Sequence, residues 1–267
     1  MAYPLSASRL QTYQRCPQSY YFRYERGMKQ PGFFGAASLG TALHQALVRI
    51  YGNWHYQQPV LPLAWVQQCW QECSASLPPS QVTEGRHILE GYYHQFLAGQ
   101  PLRKPLALEG RIQGHLQVEN LEFTISGRYD RLDFVDDGIE LIDYKSAKEM
   151  HLPDAETLDV QIGIYYLALE QRYHQSLKQM SLLFLRTGEL ITYLATAAHK
   201  EHVLAMVSEL AKKLQADQDW EPITGKHCDR CGYRRYCKAV NPNPEPLPEG
   251  LNAAYGGSRS LQLTLSF

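Results

Sequence analysis

Apolar residues recur at helical spacing through the first hundred positions of the chain. Over residues 36–51, Leu39, Leu43, Leu47 and Ile50 fall on one stripe, which predicts a helix that buries a single face. Helices are also expected over 8–15, 63–76 and 81–97, with Pro78-Pro79 separating the last two. Near Leu106 the pattern changes to strands, expected over 106–118, 121–135 and 138–145. A helix over 158–172, strands over 179–186 and 190–195, and a helix over 200–214 complete the body. This order predicts a mixed α/β fold with a helical N-terminal region. The alternating prolines of 241–248 read as a stiff extended linker, followed by a Gly/Ser patch. There is no internal repeat and no G-x-x-x-x-G-K-[ST] loop of the kind a nucleotide-driven motor uses.

With 267 residues, 44% of them hydrophobic, the chain can build a sizeable core as one large domain or two modest ones. Residues 1–8 lack the charged and apolar regions of a secretory signal, and no apolar run approaches a membrane span, so a soluble cytoplasmic protein is expected. In that compartment the six cysteines are expected as thiolate ligands or buried thiols rather than disulfides.

Four of those cysteines are split along the chain. Cys16 stands alone, and Cys228, Cys231 and Cys237 form a C-x2-C-x5-C run. A structural zinc draws its ligands from a loop or two of one small module, whereas here one ligand comes from the far end of the chain. An iron–sulfur cluster, expected as 4Fe–4S, suits this spacing better and makes folding depend on the cluster. Zinc and unliganded thiols are the alternatives. Cys69 and Cys73, four apart in a predicted helix, read as small buried hydrophobes.

The formal net charge is −1, yet the segments holding the four cysteines, 1–29 and 226–238, each carry a balance of +4, leaving −9 for the rest. Brought together, they would make a basic surface interleaved with Tyr13, Tyr20, Tyr21, Tyr24, Tyr233 and Tyr236, suited to single-stranded nucleic acid. The plainer reading has the arginines balancing a thiolate cluster and the tyrosines filling a small core.

The chemistry sits on a hairpin. Gly127-Arg-Tyr-Asp130-Arg-Leu-Asp133 lies on one strand and Ile142-Asp143-Tyr-Lys145-Ser146 on the next. A two-residue turn at 136–137 sets Asp130 opposite Asp143, and one at 137–138 sets it opposite Lys145. Either register leaves Asp130, Asp143 and Lys145 on one face, whereas a three-residue loop would turn Asp130 away. Two converging carboxylates need a neutralising partner, and hard cations prefer oxygen ligands, so the pair implies Mg²⁺ or Mn²⁺. A lysine two positions beyond a ligand can orient water or stabilise developing charge, as phosphodiester hydrolysis requires. An isolated D-x-K triplet is also common in surface hairpins with ordinary ion pairs.

Further segments accompany the hairpin: Ser6-Ala-Ser-Arg-Leu-Gln-Thr-Tyr-Gln-Arg-Cys16-Pro, Gly40-Thr-Ala-Leu-His44, and Gln161-Ile-Gly-Ile-Tyr165. From Ser6 to Cys237 the chain resembles the RecB-like branch of the PD-(D/E)xK nucleases, in particular its iron–sulfur members, which include nucleases of bacterial recombination and CRISPR adaptation. The resemblance implies a restriction-endonuclease-like mixed sheet core over 1–240, closed by a cluster on Cys16, Cys228, Cys231 and Cys237, with 241–267 as linker and tail. It makes His44, Asp130 and Asp143 ligands of Mg²⁺ or Mn²⁺, with the carbonyl of Tyr144 as a further oxygen, and Lys145 the catalytic lysine. Gln161 and Tyr165, one helical turn apart, would contact DNA or position Lys145. Without the resemblance, His44 reads as structural and Tyr165 as core. The second acid is Asp143 where many members carry Glu. Glu109, at the start of the preceding strand, is an additional acid near the site.

The final residues, Gln262-Leu263-x-Leu265-x-Phe267, look like the peptide by which bacterial proteins dock on the sliding clamp, a peptide-in-pocket mode; the plain alternative is a strand folded back on the body. The expected function is a metal-dependent DNA nuclease of repair or recombination, acting on single strands or free ends, with a helicase or recombination protein as a possible partner. The competing reading is a non-catalytic DNA-end or single-strand binding module built on a structural cluster.

Overall fold

Strands of alternating burial and helices with one apolar stripe build a mixed sheet covered by helices. The computed structural model describes residues 2–28, 38–58, 60–136, 138–147 and 155–248, the side chains of 155–159 excepted. The tail residues Gln262, Leu263, Leu265 and Phe267 lie outside the described residues. In chain order the elements are β1 (Tyr3–Leu5), α1 (Ala7–Arg15), α2 (Pro17–Tyr20), α3 (Leu39–Gly52), α4 (Leu63–Ser74), α5 (Pro79–Phe96), β2 (Ala107–Val118), β3 (Leu121–Val135), β4 (Gly138–Lys145), α6 (Ala155–Tyr173), β5 (Leu177–Phe184), β6 (Glu189–Leu194) and α7 (Ala197–Ala216). Two compact units result, one of Met1–Ala7 and Gly35–Lys212, the other of Ser8–Phe34 and Lys213–Phe267.

In the first unit β3 organises the sheet. It pairs with β2 antiparallel along one edge; β1, parallel, and β4, antiparallel, divide the other edge between them. From β4 the chain crosses through α6 to β5, which pairs parallel with β4, and β6 closes the sheet antiparallel to β5. The three-residue β1 has no counterpart in the sequence reading, because so short a segment carries no periodicity of its own. Helices α3, α4 and α5 bury Leu43, Leu47, Ile50, Trp70 and Leu89 in one cluster with Ile142, Tyr144 and Leu183 of the sheet and Leu185 just past β5. Cys69 is buried in that cluster, as the sequence predicts. No helix among the described residues is long and apolar enough to cross a membrane.

The cluster also holds an ion pair. Arg131 and Asp133, both buried, meet side by side on β3, with Nε donating to Oδ1 at 2.7 Å and Nη2 donating to Oδ2. The guanidinium lies 4.0 Å over the ring of Tyr51, whose hydroxyl bonds that of Tyr92 at 2.5 Å. Removing one partner would leave a buried charge uncompensated. Asp133→Ala is therefore expected to cost about 3–5 kcal/mol in chemical denaturation, and the pair Arg131→Met with Asp133→Leu to recover most of it.

The second unit is built on aromatic rings. Tyr20 stacks on Trp220 with centroids 5.7 Å apart, Tyr13 donates to Asp217 at 2.9 Å, and Tyr233 donates to the carbonyl of Met28 at 3.0 Å. Tyr13, Tyr20 and Tyr233 are buried, so three of the six tyrosines considered as stacking platforms are core, while Tyr21, Tyr24 and Tyr236 are partly exposed.

Candidate active site

Local sequence places His44. Ser38 caps α3, its hydroxyl accepting from the N–H of Thr41 at 3.2 Å. Gly40 lets the first turn approach the end of β4, since a Cβ there would sit 2.6 Å from Ser146 Oγ. One turn further along, His44 reaches the sheet where the β2–β3 ladder is interrupted.

The break centres on Asp130. Strands β2 and β3 pair as far as Gly110 with Tyr129 and resume at Leu108 with Arg131, skipping the position where Glu109 faces Asp130. The β3–β4 ladder begins at Arg131 with Ile142 and ends at Val135 with Gly138, so Asp130 stands opposite Asp143 by register across a two-residue turn. Glu109 adopts φ +44°, a left-handed conformation inside a strand. The facing of both strands changes here. Gly114 abuts Ala168 of α6 and Tyr129 bonds Tyr173 of α6, whereas Leu108 packs into the α3–α5 cluster and Arg131 lies on Tyr51 of α3. The interruption frees Glu109 and Asp130 from the ladder and turns their carboxylates to His44.

His44 Nδ1 is 3.4 Å from Asp130 Oδ1 and 3.6 Å from Glu109 Oε1, and these three groups gather within 4.8 Å. The other Asp130 oxygen accepts the N–H of Tyr144 at 2.7 Å, which fixes its orientation. The ring of Tyr144 is buried, edge-on to His44 with centroids 6.0 Å apart. Asp143 stands beside the trio, with the Lys145 ammonium 2.5 Å from its Oδ2 and the Gln161 amide 3.5 Å from its Oδ1. Tyr165 is buried and donates to the carbonyl of Arg128 at 2.5 Å, which ties α6 to β3 two residues before Asp130. Gln161 thus faces Asp143, and Tyr165 supports the strand that carries Asp130.

Burial lowers the pKa of His44, but the hydrogen bond and charge of Asp130, with Glu109 and Asp143 behind it, outweigh that and raise it overall. Burial raises the pKa of Asp143, and Asp130 adds to the rise against the opposing pull of Lys145. Three carboxylates faced by His44, Lys145 and Arg128 form an oxygen-rich site with the chemistry of a hard divalent cation. Beside it opens a cavity of about 770 Å³, lined by Thr41, Gln45, Arg49 and Arg128 along with His44 and Glu109.

In the second unit, Cys16, Cys228, Cys231 and Cys237 line one cavity of about 480 Å³. Cys16 precedes α2 in extended backbone, and the other three punctuate two short 3-10 turns, Lys226–Arg230 and Arg234–Tyr236. Burial raises the pKa of the Cys231 thiol, and Cys16, Cys228 and Cys237 each raise it further by their charge. Arg15, Arg23 and Arg230, on the rim of this cavity, are exposed.

Residues 4–238 match the PD-(D/E)XK nuclease superfamily. The chain belongs to that superfamily. Its mixed six-stranded sheet with flanking helices is consistent with the restriction-endonuclease-like fold of these nucleases, which use divalent metals. Among solved structures, a protein provisionally named an exonuclease from Eubacterium rectale shares 12% identity, with 91% of this chain and 90% of that one covered and a TM-score of 0.47. The structure of SSO0001 shares 15% identity, with 89% and 87% covered and a TM-score of 0.44. No curated protein matches the sequence significantly.

Within the superfamily frame, two features had no role in the sequence reading. Arg128 pairs with Glu109 through Nη2 and Oε2 at 2.9 Å, and the Arg131–Asp133 pair locks the strand immediately after Asp130. The second carried a legible signal, opposite charges two apart on a strand with apolar neighbours. The first did not, because Arg128 and Glu109 lie 19 positions apart in sequence.

Proposed function

We propose that this protein is a divalent-metal-dependent DNA nuclease that hydrolyses phosphodiester bonds of single strands or free ends during repair or recombination. The observation that carries the reading is the convergence of His44, Asp130, Asp143 and Lys145 at one ladder break, three of them on the hairpin and the fourth delivered by α3. His44, Asp130 and Asp143 would hold Mg²⁺ or Mn²⁺, with the Tyr144 carbonyl as a further oxygen. The bound ion supplies polarisation of the phosphoryl oxygen and a lowered pKa for attacking water. Lys145, poised by Asp143, stabilises the charge that develops on the phosphoryl oxygens, and Gln161 holds Asp143 from its other side. Arg49 and Arg128 line the adjoining cavity, each paired with a glutamate there, Glu72 and Glu109, and would exchange that contact for a flanking phosphate.

Cys16, Cys228, Cys231 and Cys237 are assigned to a 4Fe–4S cluster. Four thiols from two distant segments lining one cavity suit a multi-iron group. The exposed arginines around it supply a basic surface for the DNA backbone. A helicase or recombination partner that delivers ends, and a sliding clamp bound through the tail, belong to the same reading.

Linear and circular single-stranded DNA, each incubated with Mn²⁺, test it. Degradation of the linear form alone identifies an exonuclease, and cleavage of both an endonuclease. Retention of both without cleavage supports the binding module instead.

Stability of the ion-free protein should report the site as well. A group whose folded pKa is raised contributes stability that is full below its ordinary value and is lost as pH rises through the raised one; His44 and Asp143 are both raised. Ion binding needs both deprotonated, so the rise in Tm on adding Mn²⁺ is expected to be larger at about pH 8 than at about pH 6. Scanning calorimetry at the two pH values checks this, and His44→Gln should lose most of the difference.

A further inference from the structure

Glu109 has a feature that a structural acid does not need. Its backbone sits at φ +44° within β2, where a glutamate is strained, and the ladder opens around it on both strands. No other non-glycine residue of β2 or β3 has a positive φ; Glu119 and Asp136, also left-handed, lie in the turns that follow these strands. What the conformation achieves is to aim one carboxylate oxygen at His44 Nδ1, 3.6 Å away, while Arg128 holds the other at 2.9 Å.

We propose that Glu109 is a protein ligand of the catalytic divalent ion, together with His44 and Asp130, and that Arg128 is the positioning residue that presents it. The inference rests on the nuclease reading above and adds a residue to it. Ligand atoms adjacent around a Mg²⁺-sized ion stand about 3.0 Å apart. The His44 Nδ1 separations from Asp130 Oδ1 and Glu109 Oε1, 3.4 and 3.6 Å, are close to that value and come from three different elements, α3, β3 and β2. A third carboxylate strengthens the hold on a hard cation, and its fork-side contact to Arg128 fixes the oxygen that ligates, as outer partners of metal ligands do. Arg128 also lines the adjoining cavity, so the residue that orients the ligand stands where the next phosphate of the strand would lie.

The test measures Mn²⁺ binding to the full-length, anaerobically purified protein by calorimetry and by the loss of the free Mn²⁺ paramagnetic signal. Glu109→Gln is expected to weaken Mn²⁺ affinity by about 10-fold or more. Glu109→Asn, whose side chain tolerates left-handed backbone, is expected to weaken it equally while Tm holds or rises by about 2–4 °C. That split, ion affinity lost with stability kept, separates a ligand from a structural acid. Wild-type affinity in Glu109→Gln would overturn the proposal and leave Glu109 as a partner of Arg128 alone. If the wild type itself binds no Mn²⁺, or His44→Ala binds it as the wild type does, the metal site as a whole is overturned.

Discussion

Lys145→Ala is expected to slow strand cleavage by about 10²- to 10³-fold, on the order of 3 kcal/mol of transition-state stabilisation, and to leave DNA affinity nearly unchanged. The ammonium lies 2.5 Å from Asp143 at the end of β4, beyond the region where the ladder to β3 is complete. It therefore meets charge that develops at the reacting phosphate rather than charge already present along the bound strand. Removing it has a second effect. Asp143 is partly buried and keeps a raised pKa even with the lysine beside it; without the lysine that pKa rises further, and ion affinity falls at neutral pH. The two effects separate by titrating Mn²⁺ to saturation at alkaline pH, where the loss of kcat that survives belongs to the lysine alone. Lys145→Arg is expected to restore little, because the planar guanidinium cannot occupy the compact site of an ammonium against Asp143.

On the proposed cluster assignment, Cys16→Ser is expected to abolish the iron–sulfur chromophore and destabilise the second unit by at least about 3 kcal/mol, since the energy of cluster binding would be folding energy. Cys16 lies more than two hundred positions before the other three cysteines, so on this assignment it is the cluster's one tie to the N-terminal helices. The aromatic contacts of Tyr13, Tyr20 and Trp220 and the Tyr233–Met28 hydrogen bond remain to hold these segments together. Iron content, visible absorption and limited proteolysis read the result. Cys69→Ala is the matched control: Cys69 is buried in the α3–α5 cluster, so its loss should cost stability without touching iron content. Equal iron in Cys16→Ser and wild type would remove Cys16 from the cluster.

Long periodic segments were legible from sequence. The apolar stripe of Leu39, Leu43, Leu47 and Ile50 became α3, the alternation through 121–135 became β3, and Asp130 faces Asp143 in one of the two registers the hairpin allowed. Legibility failed where tertiary context decides. β1 is three residues long and exists because β3 offers it an edge. The phase change at Glu109 and Asp130 cannot be read from alternation, because it is the interruption of alternation. Half of the tyrosines flanking the cysteines proved to be core rather than surface, an outcome set by how residues from the two chain ends meet. The same limit hid the Arg128–Glu109 contact, which only the pairing of β2 with β3 brings about.

The central claim is that the groups at the ladder break hydrolyse DNA with a divalent ion. Its most direct test is incubation of the anaerobically purified wild-type protein with end-labelled single-stranded DNA and Mn²⁺, with and without a chelator. The account predicts shortened products that disappear with the chelator. Intact DNA in both lanes, from protein whose cluster absorption is present, would contradict it.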